Sequence, residues 1–297
     1  VVLEEIKGVE DTPSDYIHEI LAGTVWPDNP LGRPILGTKE TIGALSRDDI
    51  ITYIEQYYSP KEIVISVAGN FEHAGLVDLL EASFGTLSRT GLRKEETAPT
   101  FKRDVQVREK QLEQAQVCIG CKGLQYTHED RYGVYALSNV LGSSMSSRLF
   151  QEIREQRGLA YSVFSYLMAY RDTGMFAVYA GTDAANTLEV IGLVLKEFTR
   201  IKEEGITAAE EERVKNQLKG NLVLSLESSN SHMTRIARQE IYFRKHFSVE
   251  DIIKNVEKIT RGQIQELANR LFVSDNISLA VLGPIRREDV PESVLQM

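Results

Sequence analysis

Cysteine is nearly absent from this sequence, with only Cys118 and Cys121 among 297 residues. A chain of this length can bury a large core without disulfide staples. Two cysteines also exclude a secreted disulfide framework, so the cytoplasm or an organellar matrix is the expected compartment. Long apolar runs are missing too. None approaches the roughly 20 residues of a membrane span, and no signal-peptide pattern opens the chain, so no membrane partner is expected. Positive charge is in deficit, with 34 Lys and Arg against 43 Asp and Glu and a net charge of -9. That balance disfavours binding to nucleic acid or anionic lipid, and no nucleic-acid partner is expected. The five histidines, His18, His73, His128, His232 and His246, include no pair four apart on a helix. A zinc-binding histidine pair is therefore not found in the chain. What remains is 42% apolar and 26% charged residues, the balance of a soluble globular protein of about two domains.

The chain opens on Val1-Val2-Leu3-Glu4-Glu5-Ile6 with neither an initiator methionine nor a helix-capping residue. Val2, Ile6 and Val9 nevertheless follow the spacing of one helix face, which points to residues missing upstream. This helix should stop near Pro13, and a short second one should span 14–21. Three prolines in 27–34 then exclude regular structure. Ser46 with Asp48 and Asp49 opens a helix to about Tyr58, Ile63 to Gly69 reads as a buried strand, and His73 to Phe84 as a helix. Residues 87–103 look like a linker. Beyond it, a strand is expected within 111–122 and helices over 131–141 and 147–156, the latter ending at Gly158. A hairpin follows over 159–168 and 173–181, then helices at about 185–204 and 208–228. Thr207 and Glu210 form a capping box at the start of the last.

One internal repeat is visible. Residues 46–69 match 260–283 at a constant offset of 214 without a gap, and Ile50/Ile264, Tyr58/Phe272, Ile63/Ile277, Val67/Val281 and Gly69/Gly283 coincide. Two related domains follow, the first lacking its N-terminal portion. The Cys118-Ile119-Gly120-Cys121 run suggests a redox pair or half a zinc site. Strand alternation points its two thiols to opposite faces, and no second cysteine pair completes four ligands.

The run from Ser143 through Arg148-Leu149-Phe150-Gln151-Glu152-Ile153-Arg154 to Gly158-Leu159-Ala160-Tyr161-Ser162-Val163 resembles the C-terminal signature of the pitrilysin/insulinase-like zinc peptidases. Its nearest likeness is their processing-protease branch. Pro30-Leu31-Gly32-Arg33-Pro34-Ile35-Leu36-Gly37 resembles a loop of that branch, and Val1 to Ile6 resembles the helix holding its third zinc ligand. The resemblance implies an α+β fold of two related domains, each an antiparallel sheet packed with helices and the first N-terminally truncated. Residues 1–90 would be the remainder of a zinc-binding domain, 91–105 a linker and 106–297 a substrate-binding domain.

The likeness also implies a Zn²⁺ cofactor. Members are inverzincins, whose H-x-x-E-H helix supplies two histidine ligands and a glutamate base, and a later helix a glutamate ligand. Glu5 matches that later ligand, and Glu4, turned about 100° around the helix, is the alternative register. The H-x-x-E-H segment should lie upstream of Val1, so this chain alone should be inactive. Arg154 and Tyr161 match an Arg and a Tyr that face the zinc. The Arg binds a substrate main-chain carbonyl, and the Tyr hydroxyl hydrogen-bonds the carbonyl under attack, which assigns Arg154 to substrate binding and Tyr161 to substrate binding and catalysis. Arg157 reads as a solvated neighbour. The function implied is zinc-dependent endopeptidase action on unfolded peptides or N-terminal extensions within a two-domain chamber. Besides peptides, the expected partners are the missing N-terminal segment or a second copy of the chain. The rivals are a non-catalytic partner subunit or peptide-binding scaffold of the same family, and a redox protein using Cys118 and Cys121.

Overall fold

The computed structural model describes all residues except 88–90 and 92–96, so much of the expected linker lies outside the described residues. Helix α1 (Val2–Glu10) begins without a side-chain cap and buries Ile6. Helix α2 (Pro13–Val25) starts on Pro13, whose missing N–H is no loss there, and runs further than the short helix expected. Helices α3 (Lys39–Ala44), α4 (Arg47–Tyr57) and α5 (His73–Phe84) follow, then strands β1 (Val105–Glu109) and β2 (Ala115–Lys122). Helix α6 (Arg131–Leu141) precedes a π-helical turn (Phe150–Gln156) and the hairpin of β3 (Ala160–Ala169) and β4 (Gly174–Thr182). The remainder is α7 (Thr187–Glu204), α8 (Ala208–Ser225), α9 (Ser229–Phe243), α10 (Val249–Glu257), α11 (Arg261–Leu271) and β5 (Ile277–Gly283).

Contacts divide the chain into two units, neither contiguous in sequence. The first joins Val1–Thr38, Ala98–Lys219 and Ile252–Met297, and the second joins Lys39–Thr97 with Gly220–Asp251. These units cut across the partition expected at 90 and 105, because α1 and α2 group with the five-stranded sheet. That sheet has the order β1-β5-β2-β4-β3. Every neighbouring pair is antiparallel except β1 and β5, which run parallel. A parallel pair needs a long connection, and residues 110–276 separate these two strands in sequence. Strand β1 was not anticipated, since its Arg108 and Glu109 are exposed and hide the alternation.

Both faces of the sheet are covered. On one, α6, α7 and α11 pack over Ile119, Cys121, Phe176, Val178, Leu279 and Val281, and Phe198 stacks on Phe272 with ring centroids 4.0 Å apart. On the other, Ile17, Ile20, Leu21 and Val25 of α2 cover Cys118, Met175, Ala177, Ala280 and Leu282. The three inner strands β5, β2 and β4 accordingly read as near-continuous buried runs rather than alternating ones.

The repeat is reproduced through its helix and the 3₁₀ turn that follows. Ser46 caps α4 and Thr260 caps α11, each through its side chain, and single 3₁₀ turns at Pro60–Glu62 and Ser274–Asn276 precede the second segments. The copies then part. Residues 277–283 form β5 between β1 and β2, whereas 63–69 form no regular element and pair in no ladder, so the expected buried strand is not formed. The physical reason is the lack of a neighbour: among the described residues nothing pairs with 63–69, and an unpaired strand cannot satisfy its backbone.

Candidate functional site

The signature run folds into a short helical segment feeding an edge strand. Leu149 and Ile153, four apart, are fully buried and seat the turn on the core. The expected helix over 147–156 is wound as a π-helix across Phe150–Gln156, a rare geometry concentrated at functional sites. Gly158, at φ 63°, ends it. Its N–H donates to the Arg154 carbonyl at 3.1 Å, and the Leu159 N–H donates to Ile153 at 2.9 Å. A residue with a Cβ would be strained at that glycine.

Arg154, in the last turn as expected, carries its guanidinium 4.8 Å from the ring centre of Phe150 and 4.8 Å from that of Tyr161. Two aromatic faces therefore hold the cation, an attraction of about 0.5–1 kcal/mol each at an exposed site. Its nearest carboxylate, Glu155, is 3.8 Å away, a loose contact that leaves donors for a ligand. Arg157 is half-exposed and engaged by Glu152 at 2.8 Å and Glu189 at 3.6 Å.

Tyr161 stands where β3 breaks register. Ala160 pairs with Thr182 and Ser162 with Gly181, so Tyr161 is the extra residue of a β-bulge. The bulge turns Tyr161 out of the ladder, 76% exposed, and its hydroxyl makes no hydrogen bond among the described residues. Bulges re-aim side chains in this way and recur beside active sites. The structure thus brings Arg154 and Tyr161 together. Sequence reasoning missed Phe150 and the bulge. The i, i+4 spacing of Phe150 and Arg154 signals the first. The second shows in Ala160 and Val163, both core-facing at a spacing strict alternation forbids.

Glu5 lies on the exposed side of α1, beside buried Ile6. Its neighbour Glu4 accepts from Lys7 Nζ at 2.7 Å, whereas the Glu5 carboxylate has no such partner among the described residues. No cluster of three His, Cys, Asp or Glu able to hold a metal occurs among the described residues. One carboxylate does not make a zinc site, so the described residues do not by themselves fit the ion.

The cysteines separate as alternation requires. Cys118 lies among the residues under α2 and Cys121 among those under α6 and α7, both thiols free and fully buried. Burial pushes both thiols far up. At this strand spacing their Cα atoms are about 10 Å apart, too far for a disulfide. His18 Nδ1 lies 2.7 Å from the Tyr166 hydroxyl and 3.6 Å from Cys118 Sγ. Among the described residues, no helix is long and apolar enough to cross a membrane.

Comparison with known proteins supplies what the geometry does not. A family profile described as the peptidase M16 inactive domain matches residues 44–218. A protein named uncharacterized zinc protease YmxG from Bacillus subtilis is 41% identical over 96% of this chain and 69% of its own length. The uncharacterized zinc protease SCO5738 of Streptomyces coelicolor is 37% identical over 96% of this chain and 64% of its own. This chain therefore spans about two thirds of the length of such relatives. The crystal structure of a peptidase M16 inactive domain from Pseudomonas fluorescens superposes with a TM-score of 0.87 over 96% of this chain and 68% of that one, at 19% identity, a likeness of fold.

Proposed function

The chain belongs to the peptidase M16 family, and from that premise we propose that the full-length protein is a zinc-dependent endopeptidase, this chain carrying its substrate-binding side. The observation that carries the reading is the Arg154–Tyr161 pair, its cation held between two rings and its phenol lifted clear of the strand. Arg154 donates hydrogen bonds to a main-chain carbonyl of the substrate, a charge-assisted contact that fixes the peptide. Tyr161 donates its O–H to the carbonyl oxygen of the scissile bond, where negative charge develops. Glu5 is one of three metal ligands, the other two being histidines of an H-x-x-E-H segment outside this chain. Its unengaged carboxylate, against the Lys7-paired Glu4, supports that register.

The substrates are unfolded peptides or N-terminal extensions, held in a chamber between two domains and bound by adding a strand to a sheet edge. The place of β3 at one margin of the sheet is consistent with that mode. The upstream segment is also the partner of 63–69, whose repeat copy β5 is flanked on both sides. The protein works in the cytoplasm or an organellar matrix.

The test is the full-length protein with an unfolded peptide. Chelator-sensitive cleavage, lost in Arg154→Ala with zinc content unchanged, is the expected result. Zinc-free protein that binds peptide without cleaving it would instead establish the non-catalytic partner subunit.

A further inference from the structure

Arg148 lies in the same run, two residues before the π-helical turn, and it is buried, its side chain 12% exposed. Nε and Nη2 donate to the two oxygens of Glu210 at 2.7 and 2.9 Å, and Nη2 also donates to the Gly205 carbonyl at 3.0 Å. Nη1 faces Glu197 Oε2 at 3.8 Å. One guanidinium thus joins three places: the entry to the turn, the body of α7 and the α7–α8 connection. Glu210 is fixed in its own right, accepting the Thr207 N–H at 2.8 Å while its own N–H donates to Thr207 Oγ1 at 3.2 Å. Burial pushes its carboxyl up, but the bonds from Arg148 and Thr207 and the Arg148 charge outweigh that and hold it at about 2.

We infer that Arg148 is a positioning residue for Arg154, locking the π-helical turn to the α7–α8 connection so that Arg154 is presented at one depth and rotation. Leu149 and Ile153 choose the face of the turn that meets the core, but apolar contacts permit it to slide. A bidentate Arg–carboxylate pair has one geometry and does not. Replacing a buried ion pair with apolar groups is often neutral or stabilising, so stability alone is a weak explanation for this one. From the anchor, the turn and its closing bonds from Gly158 and Leu159 carry the constraint to Arg154 and on to Tyr161. The inference rests on the reading of Arg154 as a substrate-binding residue.

The test is made in the full-length protein with Arg148→Met/Glu210→Gln. The double variant removes both charges together and keeps an oxygen at 210 to cap α8, since Gln serves a capping box as Glu does. Glu197 keeps Arg200, 3.5 Å away. Hydrogen exchange at the Gly158 and Leu159 amides should rise about tenfold or more while β2 and β4 amides stay unchanged. In peptide cleavage kcat/KM should fall on the order of 10- to 100-fold, a size expected when a binding group shifts by about 1 Å. In an Arg154→Ala background the double substitution should have no further effect, whereas a merely structural role makes the two losses multiply. Arg148→Lys, with charge but no fork, should recover little.

Unchanged exchange at 158–159 overturns the inference whether or not the enzyme is active, and so does multiplication of the two losses. If the wild-type protein cleaves nothing, the endopeptidase reading fails. Exchange raised at 158–159 alone would then still establish the anchor.

Discussion

Removing a single oxygen from Tyr161 separates catalysis from folding more cleanly than any other change in this chain. The hydroxyl has no partner among the described residues and the side chain is 76% exposed, so Tyr161→Phe breaks no hydrogen bond of the fold and opens no cavity. Its effect on stability should stay within about 0.5 kcal/mol, the range of surface substitutions. A donor to the carbonyl under attack is a different matter, since losing one such donor lowers turnover on the order of 10²- to 10³-fold, or about 2.7–4 kcal/mol. The ring is a third quantity. Phe keeps the face against which Arg154 rests at 4.8 Å, whereas Tyr161→Ala removes it, together with about 0.5–1 kcal/mol of cation–π attraction. KM should therefore rise in the Ala variant by about two- to fivefold beyond any change in the Phe variant. The assay is steady-state cleavage of an unfolded peptide by the full-length protein, with zinc content and thermal melting measured on the same preparations. Wild-type turnover in Tyr161→Phe refutes the catalytic role, and so does a loss of activity that tracks a lowered melting temperature.

Three further outcomes are expected. Glu5→Gln in the full-length protein should lower zinc content and turnover together, because the amide keeps shape but loses the charge that balances the ion, while Glu4→Gln should change neither much; the reverse order shifts the ligand register by one residue. This chain expressed alone should retain no stoichiometric zinc after dialysis and cleave no peptide, since Glu5 is one donor where three are needed; a chelator-sensitive activity would reveal a complete site. His18 gives the pH dependence. Burial holds its pKa below the usual histidine value, partly offset by Asp15, so below about 6.5 the unfolded chain takes up the proton first. The His18 contribution is thus complete above about 6.5 and is lost as pH falls toward its folded value. Trp26, the single tryptophan and fully buried at the end of α2, reports it by fluorescence. Melting followed at Trp26 should fall more steeply from pH 7.5 to 5 in the wild type than in His18→Gln, and equal slopes would discard the assignment.

Local chemistry was legible where residues act on their own neighbours. The Ser46 cap, the Thr207–Glu210 box and the stop at Gly158 depend only on residues within a few positions, and each forms. The opposed cysteines follow from the period of a strand alone. The winding of Phe150–Gln156 was not legible, because its buried pair, Leu149 and Ile153, lies four apart and fits either an α- or a π-turn. Nor was the Arg148 anchor. An arginine ahead of a buried leucine looks like a surface residue until the fold brings Glu210, 62 positions away, against it. For the candidate site, the resemblance pointed to Arg154, Tyr161 and Glu5. The structure adds that the first two touch, and why Tyr161 is free to do so.

The repeat marks the limit of what pattern can say. Ile50 and Ile264 hold the same place in matched helices, yet one is 52% exposed and the other fully buried; Val67 and Val281 differ in the same way, at 42% and 0%. The apolar positions coincide in both copies, so periodicity encodes a face to be covered and not the thing that covers it. In the second copy β1 and β2 flank the strand and the helices α6 and α7 close over α11. In the first copy Ile50 and Val67 remain exposed in the second unit, as do Val64, Ile65 and Leu79. The exposed copy is best read as half of a core, built to the same plan as the finished one. A fragment supplying two strands to 63–69 should bury Val67 to the extent seen at Val281. If Tyr58 stayed as exposed as its present 54% in the reconstituted protein, the two copies would not share that plan.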